Sequence, residues 1–324
     1  MSRRLGFVMD PLADITPKKD STLAMMLAAR ERGWETFEIH QADLALADGA
    51  VSARMRAVEV RDDEHHWHDV TDVVDAPLTD LDAVLMRKDP PFDMEYLYAT
   101  YLLEQAEAAG VTVINRPRGL RDANEKLFTA WFPQCCPPTV VTARHEVLRA
   151  FVAEQADTIA KPLEGMGGTG IFRLRDGDPN INSVLETLTH RYRRPIMVQR
   201  YLPAIAEGDK RILLVDGQPL DHCLARLPTG GETRANLAAG GSYRAQPLSD
   251  ADRWICEQVA PTLVEYGLTF VGLDVIGDRL TEINVTSPTC IREIARDSGE
   301  NAAERLLDSV EGRLSSSPRP GVSG

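Results

Sequence analysis

Asp274, Glu282 and Asn284 stand close together near the C-terminal end of the chain, on two β-like runs joined by Gly277-Asp278. All three side chains offer oxygen, the donor that a hard cation such as Mg²⁺ selects when it also bridges the phosphates of a nucleotide. Upstream, Lys161-Pro-Leu-Glu-Gly165-Met-Gly167-Gly168-Thr-Gly170 forms a backbone-donor-rich loop suited to covering phosphates. It lies between strands and matches neither the GxxxxGK[ST] pattern nor a dinucleotide-binding fingerprint. Lys161, at a strand end, and Lys126, on another apolar element, can both enter a cleft as phosphate-directed cations.

Strand geometry limits how the three oxygen ligands can meet. Glu282 and Asn284 are two residues apart and share a strand face. A plain two-residue loop at Gly277-Asp278 pairs Asp274 with Thr281 and sends Glu282 to the other side. An odd-numbered or bulged connection pairs Asp274 with Glu282 and unites the set. The sequence therefore predicts an irregular hairpin.

The surrounding elements read as an α/β protein. Leu5 to Met9, Glu35 to His40 and Ala83 to Met86 have strand character, and Asp20-Ser21 caps a helix carrying Leu23, Met26 and Leu27. A helix from Glu95 to Ala109 ends at Gly110 before a strand at Val111 to Ile114. This alternation predicts a parallel sheet covered by helices. Asp122 with Glu125 resembles a capping box, predicting a helix through Ala123, Leu127, Ala130 and Trp131. Strands at Thr139 to Thr142, Thr158 to Pro162, Ile171 to Leu174 and Ile196 to Gln199, with a helix from His145 to Gln155, predict a small α+β unit. A hairpin around Asp216-Gly217 opens a third unit. The domain boundaries are placed at 1–122, 123–202 and 203–314. Within the last, the aperiodic stretch 227–243 is read as a flexible lid, and 315–324 as a disordered tail.

With 324 residues and a net charge of −13, the chain is large enough for several subdomains and is a poor match for a nucleic-acid or anionic-membrane binder. No run approaches a membrane span and the opening apolar run is too short for a signal peptide, so a cytoplasmic location is expected. The five cysteines lack a CxxC pair and read as reduced thiols, with Cys290 near the cation residues read as a packing residue. His65, His66 and His68 lie in a polar run and read as a solvated hairpin face. Arg87, Arg211, Arg226, Arg234 and Arg292 gather around the oxygen ligands, and guanidinium groups suit a substrate bearing several carboxylates.

From Leu5 to Leu314 the chain resembles the bacterial glutathione synthetases of the ATP-grasp superfamily. The resemblance is carried by Val8-Met-Asp-Pro, Leu85-Met-Arg-Lys-Asp-Pro-Pro-Phe-Asp, Asn124-Glu-Lys-Leu-Phe-Thr-Ala-Trp-Phe, Lys161-Pro-Leu, Gly165-Met-Gly-Gly, Gly230-Gly-Glu-Thr-Arg, Asn236-Leu-Ala-Ala-Gly-Gly and Leu280-Thr-Glu-Ile-Asn-Val-Thr-Ser-Pro-Thr. It implies an ATP-grasp fold behind a Rossmann-like N-terminal domain, and ATP-dependent ligation of γ-L-glutamyl-L-cysteine to glycine through an acyl phosphate. It further implies that Lys126, Lys161, Gly165, Gly167 and Gly168 hold the phosphates of ATP. Gln199, Tyr201 and Leu202 would then line adenine, and Asp209 would reach the ribose. Mg²⁺, or Mn²⁺, would sit on Asp274, Glu282 and Asn284. Arg211, Arg226 and Arg234 would serve catalysis, and Arg87, Arg226, Ser287 and Thr289 the peptide. A homotetramer, or otherwise a dimer, is the assembly the resemblance implies. Arg200 and Ser242 depart from the family's usual residue types. Two other readings share the same cleft: another carboxylate-amine ligase, for example one making a D-alanine dipeptide, and a nucleotide-binding regulatory protein without ligase activity.

Overall fold

The computed structural model describes residues 2–227 and 242–316. The first part builds one sheet. Strands β1 (Arg4–Val8), β2 (Glu35–Ile39), β3 (Leu44–Ala47), β4 (Ala50–Val60), β5 (His68–Pro77), β6 (Ala83–Met86) and β7 (Thr112–Ile114) are joined in the order β3-β4-β2-β1-β6-β7, with β5 on β4. The β2-β1-β6-β7 portion is parallel, as the alternation predicts, and helices α1 (Ser21–Glu31) and α2 (Met94–Ala108) provide its crossovers. Asp20 caps α1, accepting from the Leu23 N–H at 2.6 Å. The β4–β5 hairpin carries the histidine run at its end, where the His65 and His66 N–H groups donate to Asp63 and the His66 ring meets Asp69. No metal-binding group of three or more such residues occurs among the described residues.

One expectation fails at the next segment. Helix α3 (Pro117–Asp122) ends where a helix was predicted to begin, and only a 3₁₀ turn, Leu127–Trp131, follows. The cause is Glu125, whose carboxylate serves a strand end far along the chain instead of its own backbone. It accepts from the Val285 and Thr286 N–H groups and the Thr286 hydroxyl, while its carbonyl accepts from the Ile283 N–H. Trp131, expected on a packed face, is half exposed.

A second sheet follows, antiparallel throughout: β8 (Thr139–Thr142), β9 (Asp157–Pro162), β10 (Phe172–Arg175) and β11 (Ile196–Arg200) in the order β10-β9-β11-β8. It is backed by α4 (His145–Gln155) and by α5 (Ile181–Leu188), a helix the sequence reading passed over. The third sheet, antiparallel and ordered β15-β14-β12-β16-β17, comprises β12 (Asp209–Val215), β13 (Gln218–Pro219, on β12), β14 (His222–Leu227), β15 (Ser242–Pro247), β16 (Phe270–Ile276) and β17 (Arg279–Asn284). The predicted turn at Asp216-Gly217 joins β12 to β13, both residues at positive φ. Helix α6 (Asp250–Glu265) precedes β16, and α7 (Ile291–Ser298) and α8 (Ala302–Ser316) follow β17. Ser315 and Ser316, assigned to the tail, continue α8. Most of the predicted lid (228–241) and the rest of the tail lie outside the described residues.

Packing separates these sheets unequally. The first and third share two continuous apolar cores, one joining Ile39, Met55 and Leu103 to Ile212, Val271 and Leu273, the other joining Phe7 and Met26 to Leu213, Ile294 and Leu306. The second sheet closes a core of its own around Leu148, Val152, Leu185 and Val198. Buried Asn115 stitches the first sheet to the third, donating to the Phe270 and Val285 carbonyls at 2.8 and 2.7 Å and accepting from the Phe270 N–H at 2.8 Å. The same joint leaves no room at Gly119 of α3, where a Cβ would stand 2.3 Å from the Tyr266 carbonyl oxygen. Gly119→Ala is expected to destabilise the protein by about 1–3 kcal/mol, measured as a lower urea midpoint with the slope unchanged.

Candidate active site

The second and third sheets and the loops that follow β1 and β6 of the first meet at a cleft of about 530 Å³. Its floor is one face of the third sheet. Side chains alternate along β12, so Asp209 and Arg211 face the cleft while Lys210 points behind it to Asp252 and the Gly277 carbonyl. Arg211 lies opposite Asp274 in β16, and Asp209 opposite Arg226 in β14. Arg211 donates to Asp274 through Nε at 2.6 Å and Nη2 at 3.1 Å. Arg226 Nη2 reaches both Asp209, at 2.6 Å, and Asp274, at 2.9 Å. The two acids respond differently. Burial would raise the Asp274 carboxyl, but the two guanidinium groups overcome it and hold the group well below the usual carboxylate range. Burial dominates at Asp209 and pushes its carboxyl up, against Arg226. Its Oδ1 is enclosed with no hydrogen-bond partner among the described residues.

The hairpin that carries the oxygen ligands is irregular in the way the ligand set requires. Ile276 pairs with Arg279 across a two-residue loop and Val275 pairs with Leu280, but Asp274 then pairs with Glu282. Thr281 is the extra residue of a bulge, its hydroxyl donating to the Asp274 carbonyl at 3.0 Å. Asp274, Glu282 and Asn284 consequently share the cleft face. Asn284 donates through Nδ2 to the Gly272 carbonyl at 3.1 Å, so Oδ1 is the atom it can offer to a cation. Two carboxylates and one amide oxygen on a single sheet face are a donor set that fits a hard divalent cation.

Both candidate phosphate lysines are buried and bridge the second sheet to this hairpin. Lys126 Nζ contacts Glu282 at 3.0 Å and donates to the Gly165 carbonyl at 2.9 Å, while Lys161 Nζ donates to the Thr281 carbonyl at 3.1 Å. Burial lowers the Lys161 ammonium, with Glu282 opposing that shift. Gly165 and Gly167 adopt φ of 93° and 67° in a loop where a Cβ would meet open space, so glycine serves the backbone conformation there. Gln199, Tyr201 and Leu202 line the cleft beside the loop, with Gln199 Nε2 held by Thr139 at 3.0 Å and the Tyr201 ring stacked under Arg173. Ser287 and Thr289 also line the cleft.

Some expected residues stand elsewhere. Arg87 does not line the cleft; it is buried behind the wall, donating to Thr22 at 3.1 Å and to the Pro288 carbonyl at 3.0 Å, and so shapes the 286–289 loop from outside. Arg292 turns away to Asp62. Arg234 lies outside the described residues. Cys290 is buried, and burial pushes its thiol up, consistent with packing. The sequence reading missed three acids that line the cleft: Glu125, mistaken for a cap, Asp20, whose only sequence signal was capping, and Glu293 of α7, which had none.

Asp274 gives a test with a defined sign. Because its carboxyl is depressed in the folded protein, its stabilising contribution is fully present above about pH 4 and is lost as pH falls through the folded value. Asp274→Asn, which strands buried guanidinium charge, is expected to cost about 3–5 kcal/mol at pH 7. In urea titrations the gap from wild type should narrow below about pH 4.

Comparison with known proteins accounts for this cleft. Residues 4–121 match the model of the prokaryotic glutathione synthetase N-terminal domain, and residues 125–299 that of the prokaryotic glutathione synthetase ATP-grasp domain. The glutathione synthetase of Pseudomonas syringae pv. tomato is 60% identical over 314 residues, covering 97% of this chain and 98% of that protein. The one from Escherichia coli O127:H6 is 54% identical over 311 residues, covering 96% and 98%. Among solved structures, the D-cycloserine synthetase DcsG superposes with a TM-score of 0.67 at 16% identity, covering 96% of this chain and 99% of its own. The ATP-grasp ligase PsnB, complexed with minimal precursor, Mg and ADP, superposes with a TM-score of 0.62 at 18% identity, covering 96% and 98%. The structural likenesses establish the ATP-grasp fold, and the sequence matches establish that the chain belongs to the prokaryotic glutathione synthetase family.

Proposed function

We propose that the cleft joins γ-L-glutamyl-L-cysteine to glycine with ATP, giving glutathione, ADP and phosphate. The observation that carries this reading is the bulged hairpin, which brings three oxygen ligands to one face beside two buried lysines and two arginines, in a chain 60% identical to a glutathione synthetase over nearly its full length. The cysteinyl carboxylate attacks the γ-phosphorus and ADP leaves. The glycine amine then attacks the acyl carbon, loses its proton, and the acyl–oxygen bond to phosphate breaks.

Each group has a role its charge suits. Lys126 and Lys161 hold the phosphates, and the Gly165, Gly167 and Gly168 loop covers them. Asp274, Glu282 and Asn284 hold a divalent cation, Mg²⁺ with Mn²⁺ as the alternative. When bound, that cation neutralises charge on the transferred phosphoryl group. Gln199, Tyr201 and Leu202 line adenine. The partnerless Oδ1 of Asp209 suits a ribose hydroxyl donor. Arg211 and Arg226, fixed by Asp274, orient the reacting carboxylate and stabilise charge as it develops, and Ser287 and Thr289 position the peptide. The acyl phosphate has to be kept from water, which would otherwise hydrolyse it, and this reading gives Arg234 a part in that step.

The reading keeps the division at 1–122, 123–202 and 203–314; the presence of one sheet in each part and the separate core of the second sheet support it. Among the described residues no helix is long and apolar enough to cross a membrane. The reading includes a cytoplasmic homotetramer, with a dimer as the alternative, to be checked by analytical ultracentrifugation.

Phosphate release from ATP, Mg²⁺ and γ-glutamylcysteine is expected to require glycine and to match glutathione formation by mass detection. Release that requires a different acceptor would replace the substrate assignment. Lys161→Met should lower kcat by about 10²–10³-fold in the same assay while leaving the circular dichroism spectrum unchanged.

A further inference from the structure

β17 is the last strand of the third sheet, so one of its edges has no neighbouring strand. The N–H groups along such an edge need acceptors from elsewhere. The linker between the first and second sheets supplies them: the Leu280 N–H donates to the Cys135 carbonyl and the Ile283 N–H to the Glu125 carbonyl, both at 2.8 Å. At Asn284 the strand ends, and its pairing with β16 ends there too, opposite Gly272. The Glu125 side chain takes over from that point. Its Oε1 accepts from the Val285 N–H at 2.9 Å, the Thr286 N–H at 3.0 Å and the Thr286 hydroxyl at 2.8 Å. The Val285 carbonyl is held from another side by Asn115 Nδ2 at 2.7 Å.

These bonds fall on either side of a cation ligand. Asn284 makes one side-chain bond of its own, to the Gly272 carbonyl at 3.1 Å, so the aim of its amide oxygen depends on the backbone at 283 and at 285–286. Glu125 holds both. Burial, and after it the negative charge of Glu282, push the Glu125 carboxyl up, while the Thr286 and Val285 donors lower it. What the strand end uses is therefore an acceptor of fixed position. The next residue, Lys126, contacts the carboxylate of the other β17 ligand, Glu282, at 3.0 Å. We propose that Glu125 is a positioning residue of the divalent-cation site: its carbonyl and Oε1 fix the chain on both sides of Asn284 and so aim that amide oxygen at the ion shared with Asp274 and Glu282. Glu125 acts through Asn284, and the proposal rests on the reading of these three residues as cation ligands. Groups that orient a ligand from behind in this way are typically worth about 10–100-fold in metal affinity.

The test is calorimetric binding of the β,γ-imido analogue of ATP to the full-length protein, once in EDTA and once in excess Mn²⁺. The ratio of the two affinities is the gain contributed by the cation. Glu125→Ala should cut that gain about tenfold or more while the affinity in EDTA changes little. Glu125→Gln, whose amide oxygen can take the same three donors, should restore most of the gain. A loss of equal size with and without Mn²⁺ makes Glu125 a general structural support and overturns the proposal, as does a Gln variant no better than Ala. Should Glu125→Ala fail to fold, Glu125→Asp keeps the charge but is one methylene too short to reach Val285 and Thr286. It should lose the gain as well, and a wild-type gain in that variant overturns the proposal. If wild type shows no Mn²⁺-dependent gain, the cation reading falls and the proposal with it, whereas a gain without glycine-dependent turnover of γ-glutamylcysteine removes the ligase reading alone.

Discussion

One face of the third sheet holds a row of opposite charges out of water, and the remainder of the structure is arranged around keeping that row paired. Arg211 against Asp274 and Arg226 against Asp209 are direct cross-strand neighbours, so the pairing is set by strand register before any side chain adjusts. Buried ions are costly unless their partners are well placed. Here the placement comes from three neighbouring strands packed on shared apolar cores beneath them. Lys210, on the reverse side of β12, ties the same strand to Asp252 of α6 and to the hairpin loop. The arrangement leaves Asp274 ionised and anchored, which suits the proposed role of presenting oxygen to a cation without swinging away from it.

The second sheet meets this face by polar contacts made with long side chains. Lys126 spans from Glu282 to the glycine loop, and Lys161 reaches the bulge at Thr281. Because that sheet has its own core, those contacts can be remade around phosphates without opening apolar surface. The glycine loop adds backbone donors at positive φ where side chains would be strained. Rigid floor and separately packed cover are a physical basis for enclosing a reactive acyl phosphate.

The first sheet contributes the far wall. Asn115 and Arg87 are buried polar residues whose hydrogen bonds go to backbone carbonyls of the 270–288 region, so they locate the wall relative to the floor. Glu125 does the same from the linker, receiving the N–H groups just beyond Asn284. Asn115 and Arg87 act from behind the cleft and Glu125 lines it, and none of the three joins the row of charges on its floor.

Local sequence determined much of this protein. The βα alternation, the Asp20 cap, the helix at His145 to Gln155 and the need for an irregular hairpin between Asp274 and Glu282 follow from nearest-neighbour chemistry and strand periodicity. The long motifs led to the family as well. Tertiary structure alone decided what long-range partners demand. The bulge could have fallen in the loop, and its place at Thr281 appears only in the register of the paired strands. Glu125 looked like a helix cap because the residues near it fit one, yet its carboxylate is taken by Val285 and Thr286, 160 positions and more away. Arg87 looked like a substrate ligand from its charge, but Thr22 and Pro288 claim it first. Glu293 carried no local signal, since its isolation from hydrogen-bond donors exists only once α7 is packed against α1. Pattern reports what a residue can do with its neighbours in the chain, and burial decides which distant group it meets.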